Sequence, residues 1–598
     1  MVTEYASVTP DDWPYEYAPL LGVAAGSIAP LVKEISSHGT QLILGLNHCG
    51  GQGSSSYSQA AMFAPSPFVE ASANEVSAEL LIPDIEAIVA GFRTGAEMAR
   101  EFGLAGVEIN AGQNSLARQF LSPLTNLRSD SYGANRALFL GQVLDSVREV
   151  APKHLVGLRL CIDELAPWGG LSPTDAAGIY DLVANTVDYL VVEQGSIYTQ
   201  HLTHPDFHAP QGFLNPAIER FLETITQSCH VIAVNEIVEF DQAETELARP
   251  SRVAVDLTKA LIADPAFLAH YQAGKQPRPC IACNQGCQVR DRRNPKISCA
   301  VNPDAGYETE VLVARPQPTH RGNLVVIGAG IAGMEAALCG QALGWSVRLY
   351  EQSSRIGGQL ATLSASHLNN NIAKLLGYYL CEIDNSKVEV ICDTRISLAD
   401  VGTRFSANCP ILVASGARYK SQPWNILGLT QAATLNAPKI IAADQAMELD
   451  FSLYQHPVIY DPIGGPVAVA VADALQARGI NFVFITPDSI AAALTSMTQD
   501  LVPANARLAR AGVRLITQSK VIALQSESIV AMRNYSGELI EVAADIVIDC
   551  SPLTANPCFE VASSIAIGDA LAPRGWQAGI LQARRAVQEL SKFEPSNV

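Results

Sequence analysis

Short apolar runs punctuate the first half of the chain, and amphipathic stretches fill the intervals between them. TQLILGL (40–46), AGVEIN (105–110), HLVGLRL (154–160), VDYLVVEQ (187–194), HVIAVNE (230–236) and SRVAVD (251–256) read as buried strands, each followed by a helical stretch. MVTEYASV at the start gives a seventh strand–helix unit. Alternation of this kind predicts an α/β fold with a parallel sheet, and over this length a (β/α) barrel is its natural closure. A closed barrel has eight units. The expectation is therefore a TIM barrel over 1–273 lacking its first strand–helix unit, either because the true start lies upstream or because the unit has been lost.

The second half changes rhythm. NLVVIGAGIAGMEAALCGQALGWSVRLYEQ (323–352) is an apolar strand, a glycine turn at Gly328, Gly330 and Gly333, a helix, and a second strand ending at Glu351. That is the dinucleotide fingerprint: glycines permit the tight turn and close backbone approach, the helix N-terminus takes a pyrophosphate, and the acid takes the ribose hydroxyls. HPVIYDPIGGPVAVAVADALQARGINFVFITPD (456–488) repeats strand, turn, helix and strand, but its turn keeps only Gly464 and Gly465, with Pro466 entering the helix. Here NADH or NADPH binding is one reading and a nucleotide fold kept for packing is the other. Thr486, Pro487 and Asp488 follow the second strand without an Arg cluster, which leans toward NADH. The predicted Rossmann-like domain covers 321–450 and 548–598, with the second nucleotide-binding domain inserted at 451–547.

Composition narrows the partners. A formal net charge of -19 and a pI near 5.0 argue against a nucleic-acid surface or docking on anionic lipid, both of which need clustered cations. No apolar run reaches the roughly 18 residues of a membrane span, and the N-terminus lacks the basic start and apolar stretch of a signal peptide. The expectation is a cytoplasmic protein acting on small molecules, compatible with a homo-oligomer or a redox partner protein.

Nine of the thirteen cysteines (Cys49, Cys161, Cys229, Cys339, Cys381, Cys392, Cys409, Cys550 and Cys558) are scattered and read as small buried hydrophobes. The other four sit in CIACNQGCQVRDRRNPKISC (280–299), within the segment 274–320. Cys280, Cys283, Cys287 and Cys299 follow a CxxCxxxC spacing with a fourth sulfur farther on, which suits a 4Fe-4S cluster better than the paired knuckles of structural zinc, although zinc remains the alternative. Arg290, Arg292 and Arg293 would offset a cluster's negative charge, or form a plain solvated charge run.

Several segments resemble known flavoproteins. RIGGQL (355–360), with Gly358 and Gln359, PILVASGARY (410–419), with Gly416, and SSIAIGDALAPRGWQAGILQARRA (563–586), with Gly568 and Asp569, are similar to the FAD-contacting segments of disulfide-reductase-like domains. This favours FAD in the first nucleotide fold. The order of barrel, four-cysteine segment, FAD domain and inserted nucleotide domain resembles the 2,4-dienoyl-CoA reductase and trimethylamine dehydrogenase branch of the old yellow enzyme family. GVEINAGQNSLARQFLSPLTNLRSDSYG, GLRLCIDELAPWGG and CNQGCQVRDRRNP look most similar to oxidoreductases associated with mycofactocin gene clusters.

The resemblance implies FMN at the C-terminal mouth of the barrel, fed from NAD(P)H through FAD and the cluster. It places Arg159 against the flavin pyrimidine, Asn235 and Glu236 by the phosphate loop, and Lys259 where the family has a phosphate-binding arginine. It also reveals departures. The family's glutamine falls on Gly45, its tyrosine proton donor on Ser115 and its active-site histidine on Ile197. Substitute proton donors come from GSIYTQHLTHPDFH, with Tyr198, His201, His204 and His208, while Asp163 and Trp168 share the mouth and Gln113, Asn114 and Arg118 are candidates for binding substrate. For each histidine a surface or core role is the plainer reading, and for Arg118 helix packing is. His204 and His208 lack an evident third partner for a metal site. The expected activity is reduction of an activated double bond or a small redox cofactor. Oxidation of an amine or alcohol by the reverse relay, or non-catalytic electron transfer, are the alternatives.

Overall fold

The computed structural model describes residues 1–69, 74–166, 168–234, 236–288, 296–311, 321–365, 370–406, 409–418, 436–556 and 564–592. The chain divides into two compact units, Met1–Pro205 with Ala209–Thr258, and Asp206–His208 with Lys259–Arg290 and Lys296–Val598.

In the first unit seven strands pair in sequence order, all parallel: β1 (Ala6–Ser7), β2 (Ile43–Asn47), β3 (Gly106–Ala111), β4 (Leu155–Asp163), β5 (Tyr189–Gln194), β6 (Val231–Ala233) and β7 (Arg252–Val255). Each corresponds to an apolar run read from the sequence, and the architecture is that of a TIM-type barrel. Helices Ile82–Glu101 and Leu138–Val150 bury Phe92, Ala96, Phe139, Val143 and Val147 in the same core as Leu44, Leu46, Val107, Ile109, Leu158 and Leu160. Helix Pro173–Val183 starts with a reciprocal cap: the Asp175 amide donates to Ser172 Oγ at 3.3 Å and the Ser172 amide donates to Asp175 Oδ2 at 3.1 Å, with Pro173 at the first helical position.

The second unit carries two five-stranded parallel sheets. The first runs Glu389–Ile391, Ser346–Tyr350, Asn323–Ile327, Ile411–Val413, Ser564–Ala566. The second runs Lys439–Ala442, Ile546–Asp549, Pro457–Tyr460, Val483–Ile485, Arg514–Ile516. It takes in Lys439–Ala442, so this fold begins before residue 451, and it carries an antiparallel three-stranded sheet over Ser519–Ala543. The cysteine segment has no separate core: Ile281, Cys299, Ala300, Val301 and Ala305 pack in one cluster with Leu324, Val326, Met334 and Leu349 of the first nucleotide fold. Among the described residues no helix is long and apolar enough to cross a membrane.

Candidate functional site

The barrel interior is polar where β1, β3, β4 and β5 meet. Arg159 Nη1 donates to Glu193 Oε1 at 2.6 Å, and its Nε donates to the Tyr5 hydroxyl at 2.6 Å and to Glu108 Oε1 at 3.2 Å. Tyr5 bonds Glu108 directly, and the Tyr189 hydroxyl donates to Glu108 Oε2 at 3.0 Å. Burial raises the Glu193 carboxyl, but the Arg159 guanidinium and His204 outweigh it, so the net shift is downward. Two acids on one guanidinium fix its plane while leaving 16% of the Arg159 side chain exposed. An oriented, partly exposed cation fits the ring of a flavin, the role the family resemblance gives Arg159.

The other residues carried over from the family distribute unevenly. Tyr5 fills the space beside Gly45, where an added Cβ would sit 2.8 Å from the Tyr5 ring. Ser115 is fully buried as the cap of helix Leu116–Leu121, accepting from the Arg118 amide at 3.1 Å and donating to the Gly112 carbonyl at 3.0 Å, an arrangement that occupies its hydroxyl. Arg118 is also fully buried, paired with Glu164 and donating to the Gln113 carbonyl and Gln52, which is the packing role. Gln113 reaches the polar group instead, its amide 3.4 Å from Glu193 Oε2. Tyr198 is half-buried and meets the exposed Trp168 edge to face at 5.8 Å. His201 is half-buried, and burial lowers its pKa. Asp163 Oδ1 accepts the Leu165 amide. Asn235 lies outside the described residues, as do Arg290, Arg292, Arg293 and Cys558.

His208 does not join this group. It belongs to the second unit, with Nδ1 2.8 Å from Asp206 Oδ1 and 3.5 Å from Asp500 Oδ1, and Nε2 3.7 Å from Asp473 Oδ2. Burial lowers its pKa, but the carboxylates raise it by more, to about 9. Asp206, His208 and Asp500 could together offer a cation three ligand atoms. Arg507 already supplies positive charge there, at 2.9 Å from Asp500 and 3.1 Å from Asp473.

The four cysteines gather. Cys299 is buried and the other three are half-buried. Burial raises all four thiols, Cys283 to about 12, and the sulfurs feel one another's charge. As a donor set the quartet suits a 4Fe-4S cube, with a zinc ion as the alternative. Lys259 lies beside it, 7% exposed, with Nζ donating to Asn284 Oδ1 at 2.7 Å.

Three segments converge at the first glycine turn. Gly328 has φ +98° and Gly330 caps helix Ile331–Ala342 with open space where a Cβ would be. A Cβ on Gly358 would sit 3.1 Å from the Gly330 Cα, and one on Gly568 2.9 Å from Ala332 Cβ. Gly333 packs on the Gly328 carbonyl. Glu351, 8% exposed, accepts the Ala329 amide at 2.8 Å and the Ser353 amide at 2.9 Å. Gly416 has φ +74° with open space beside it, Gln359 is exposed, and Asp569 is half-buried and accepts the Arg574 amide. Glycine backbone around a helix N-terminus fits a dinucleotide pyrophosphate.

The second turn does not fit one. Asp461, fully buried, accepts the amides of Ile463 at 3.3 Å and Gly464 at 2.9 Å, and the Asp488 carboxylate lies against the position of a Gly464 Cβ. Gly465 caps helix Pro466–Ala477. Two carboxylates stand where phosphate would go.

Sequence reasoning missed Tyr5, Glu108, Glu193, Asp461 and the Asp206–Asp500 group. A carboxylate breaking the apolar runs AGVEIN and VDYLVVEQ was the available signal for two of them.

Residues 1–277 match the NADH:flavin oxidoreductase / NADH oxidase family, and residues 326–393 match an NAD(P)-binding Rossmann-like domain. The chain is 31% identical over 405 residues to a metal reductase of Desulforamulus reducens, covering 66% of this chain and 59% of that protein. It is 29% identical over 370 residues to an NADH oxidase of Thermoanaerobacter brockii, covering 60% and 56%. The chain thus spans little more than half the length of these relatives. A multifunctional alkene reductase/demethylase of Caballeronia cordobensis is 24% identical over 579 residues, 92% of this chain and 81% of that one. Among solved structures, histamine dehydrogenase from Rhizobium sp. 4-9 superposes with a TM-score of 0.86 at 20% identity, covering 100% of this chain and 91% of that chain. For 2-naphthoyl-CoA reductase the values are 0.86, 18%, 99% and 92%. At such identities these two likenesses carry the fold.

Proposed function

We propose, from the match of residues 1–277 to the NADH:flavin oxidoreductase / NADH oxidase family, that the chain is an iron–sulfur flavoprotein oxidoreductase. Electrons from a reduced nicotinamide would pass through FAD and a 4Fe-4S cluster to FMN, and from there to an activated double bond or a small redox cofactor. The observation that carries this reading is the shared core of the cysteine segment and the glycine-turn fold, which joins a cluster-binding donor set to a dinucleotide cradle. When bound, the flavins supply hydride chemistry and the cluster single-electron exchange. The chain's own residues do the rest. Cys280, Cys283, Cys287 and Cys299 would hold the irons. The glycines at 328, 330, 333, 358 and 568, with Glu351, would hold a dinucleotide. Arg159, fixed by Glu108 and Glu193, would hold the flavin in the barrel, and Tyr198 or His201 would deliver a proton to substrate.

A second reading, oxidation of an amine or alcohol with electrons leaving to a redox partner, is favoured by the second turn, where Asp461 and Asp488 disfavour a nicotinamide pyrophosphate. The test is the flavin released from anaerobically purified protein, resolved into FMN and FAD and set against iron per chain, followed by anaerobic addition of NADH. Both flavins, about four irons and bleaching by NADH are expected. Both flavins without bleaching would move the assignment to the second reading. FAD and iron without FMN would leave an electron carrier.

A further inference from the structure

Lys259 is the second residue of a six-residue helix, Thr258–Ala263, and its side chain is buried, an environment that penalises an ammonium unless opposite charge is at hand. Its Nζ donates to Asn284 Oδ1 at 2.7 Å. Asn284 follows Cys283 directly, is 1% exposed, has φ +58°, and donates its own Nδ2 to the Thr498 carbonyl at 3.2 Å. The asparagine therefore fixes the ammonium beside the backbone that follows Cys283, within the CxxCxxxC loop. The family resemblance would give Lys259 a flavin phosphate; its bond to Asn284 sets it next to Cys283.

We propose that Lys259, held by Asn284, sets the reduction potential of the cluster bound by Cys280, Cys283, Cys287 and Cys299. Each added electron deepens the negative charge of a thiolate-ligated cluster, and a buried cation at fixed distance stabilises the reduced form more than the oxidised one. Lys259 is a positioning residue: it touches no substrate and acts through the cluster's energy. The inference rests on the cysteine quartet holding that cluster.

The experiment is an anaerobic redox titration of the full-length protein, followed by electron paramagnetic resonance, with iron, sulfide, FMN and FAD counted in the same samples. Lys259→Gln is expected to retain its iron and to lower the equilibrium constant for one-electron reduction of the cluster at least tenfold, a 59 mV fall in potential. Lys259→Arg, which restores the charge, is expected to return most of it. Should Lys259→Gln fail to load iron, Lys259→Met, straight-chained and apolar, carries the same reading. Iron present with an unchanged potential overturns the inference alone. So does loss of FMN with an unchanged potential, which would return Lys259 to a flavin phosphate. Wild-type protein without iron overturns the inference and the cluster assignment together.

Discussion

At Gly328–Gly333 the chain passes from strand Asn323–Ile327 into helix Ile331–Ala342 with no side chain in the way, whereas at Asp461–Gly465 the equivalent turn closes over its own carboxylate. The first turn gives one amide, that of Ala329, to Glu351 from the neighbouring strand and keeps the space beside Gly330 open. The second gives the amides of Ile463 and Gly464 to Asp461, with Asp488 alongside. Both descend from strand–turn–helix–strand patterns, and both contain glycines. What separates them is the supply of unclaimed amides at the helix N-terminus, since an anion needs donors that no internal carboxylate has taken. The contrast extends along the helices. Ile331–Ala342 carries Glu335, whose carboxyl burial would raise but which Arg278 and Arg584 hold down at about 2. Pro466–Ala477 carries Asp473, bound to Arg507 and near His208.

The sharpest way to break this contrast is a side chain in the first turn. Gly333→Val would drive a Cβ into the Gly328 carbonyl, which is backbone and cannot yield. Overpacking of this kind costs about 3 kcal/mol or more. The variant is expected to lose its bound dinucleotide, measured as FAD per chain after denaturation, while Gly465→Ala, with only the Ile463 side chain 3.3 Å from the new Cβ, leaves FAD content unchanged. Equal loss from both variants would mean the two turns are alike.

How much of this was legible beforehand depends on sequence distance. The cysteine quartet and the Gly328–Gly333 turn are local patterns, and their spacing carries their chemistry. The seven barrel strands were legible for the same reason, as apolar runs with helical stretches between them. The Arg159 group was not: its members come from positions 5, 108, 159 and 193, and only closure of the sheet brings them together. His208 was visible as a histidine on a loop, but its partners lie at 206, 473 and 500, most of them far along the chain. Ser115 is a different case. A serine just before LARQFL is an N-cap pattern, and the capping rule accounts for the bonds its hydroxyl makes, at the position where the family resemblance puts a proton donor. Asp461 was also in view, in DPIGGP, but counting glycines hides the carboxylate that fills the turn.

The second turn can be opened. Burial pushes the Asp461 carboxyl up to about 6, against the pull of the amides of Ile463, Gly464 and Gly465. A carboxyl raised in the folded state contributes stability that is fully present below its unfolded pKa, near 4, and that is lost as pH rises through about 6. The change is about 2–3 kcal/mol across that window. Asp461→Asn keeps the acceptor and removes the charge. It is expected to flatten the pH dependence of amide exchange in helix Pro466–Ala477 between pH 4 and 7. Asp461→Gly frees the amides as well, and NADH affinity measured by equilibrium binding should rise about tenfold, or 1.4 kcal/mol. Unchanged affinity would mean that unclaimed amides are not what the second turn lacks.

The smallest effect expected concerns how the second fold is pinned. Burial lowers the His208 pKa, and Asp206 and Asp473 overcome it, so the folded value near 9 lies above that of an unfolded histidine. Its contribution is therefore fully present below about pH 6.5 and is lost as pH rises through 9. Since His208 is 27% exposed and Arg507 already serves Asp473 and Asp500, screening and redundancy reduce the contribution to about 1 kcal/mol. His208→Gln should lower the protection of helix Leu501–Arg510 against amide exchange at pH 7 by that amount and leave it unchanged at pH 10. The first glycine turn should show no difference at either pH. Added zinc should leave the wild-type exchange unmoved, because the Arg507 guanidinium repels a second cation among Asp206, His208 and Asp500. A zinc-dependent increase in protection would show instead that this group is a metal site, and that the second fold is closed by an ion rather than by its own charges.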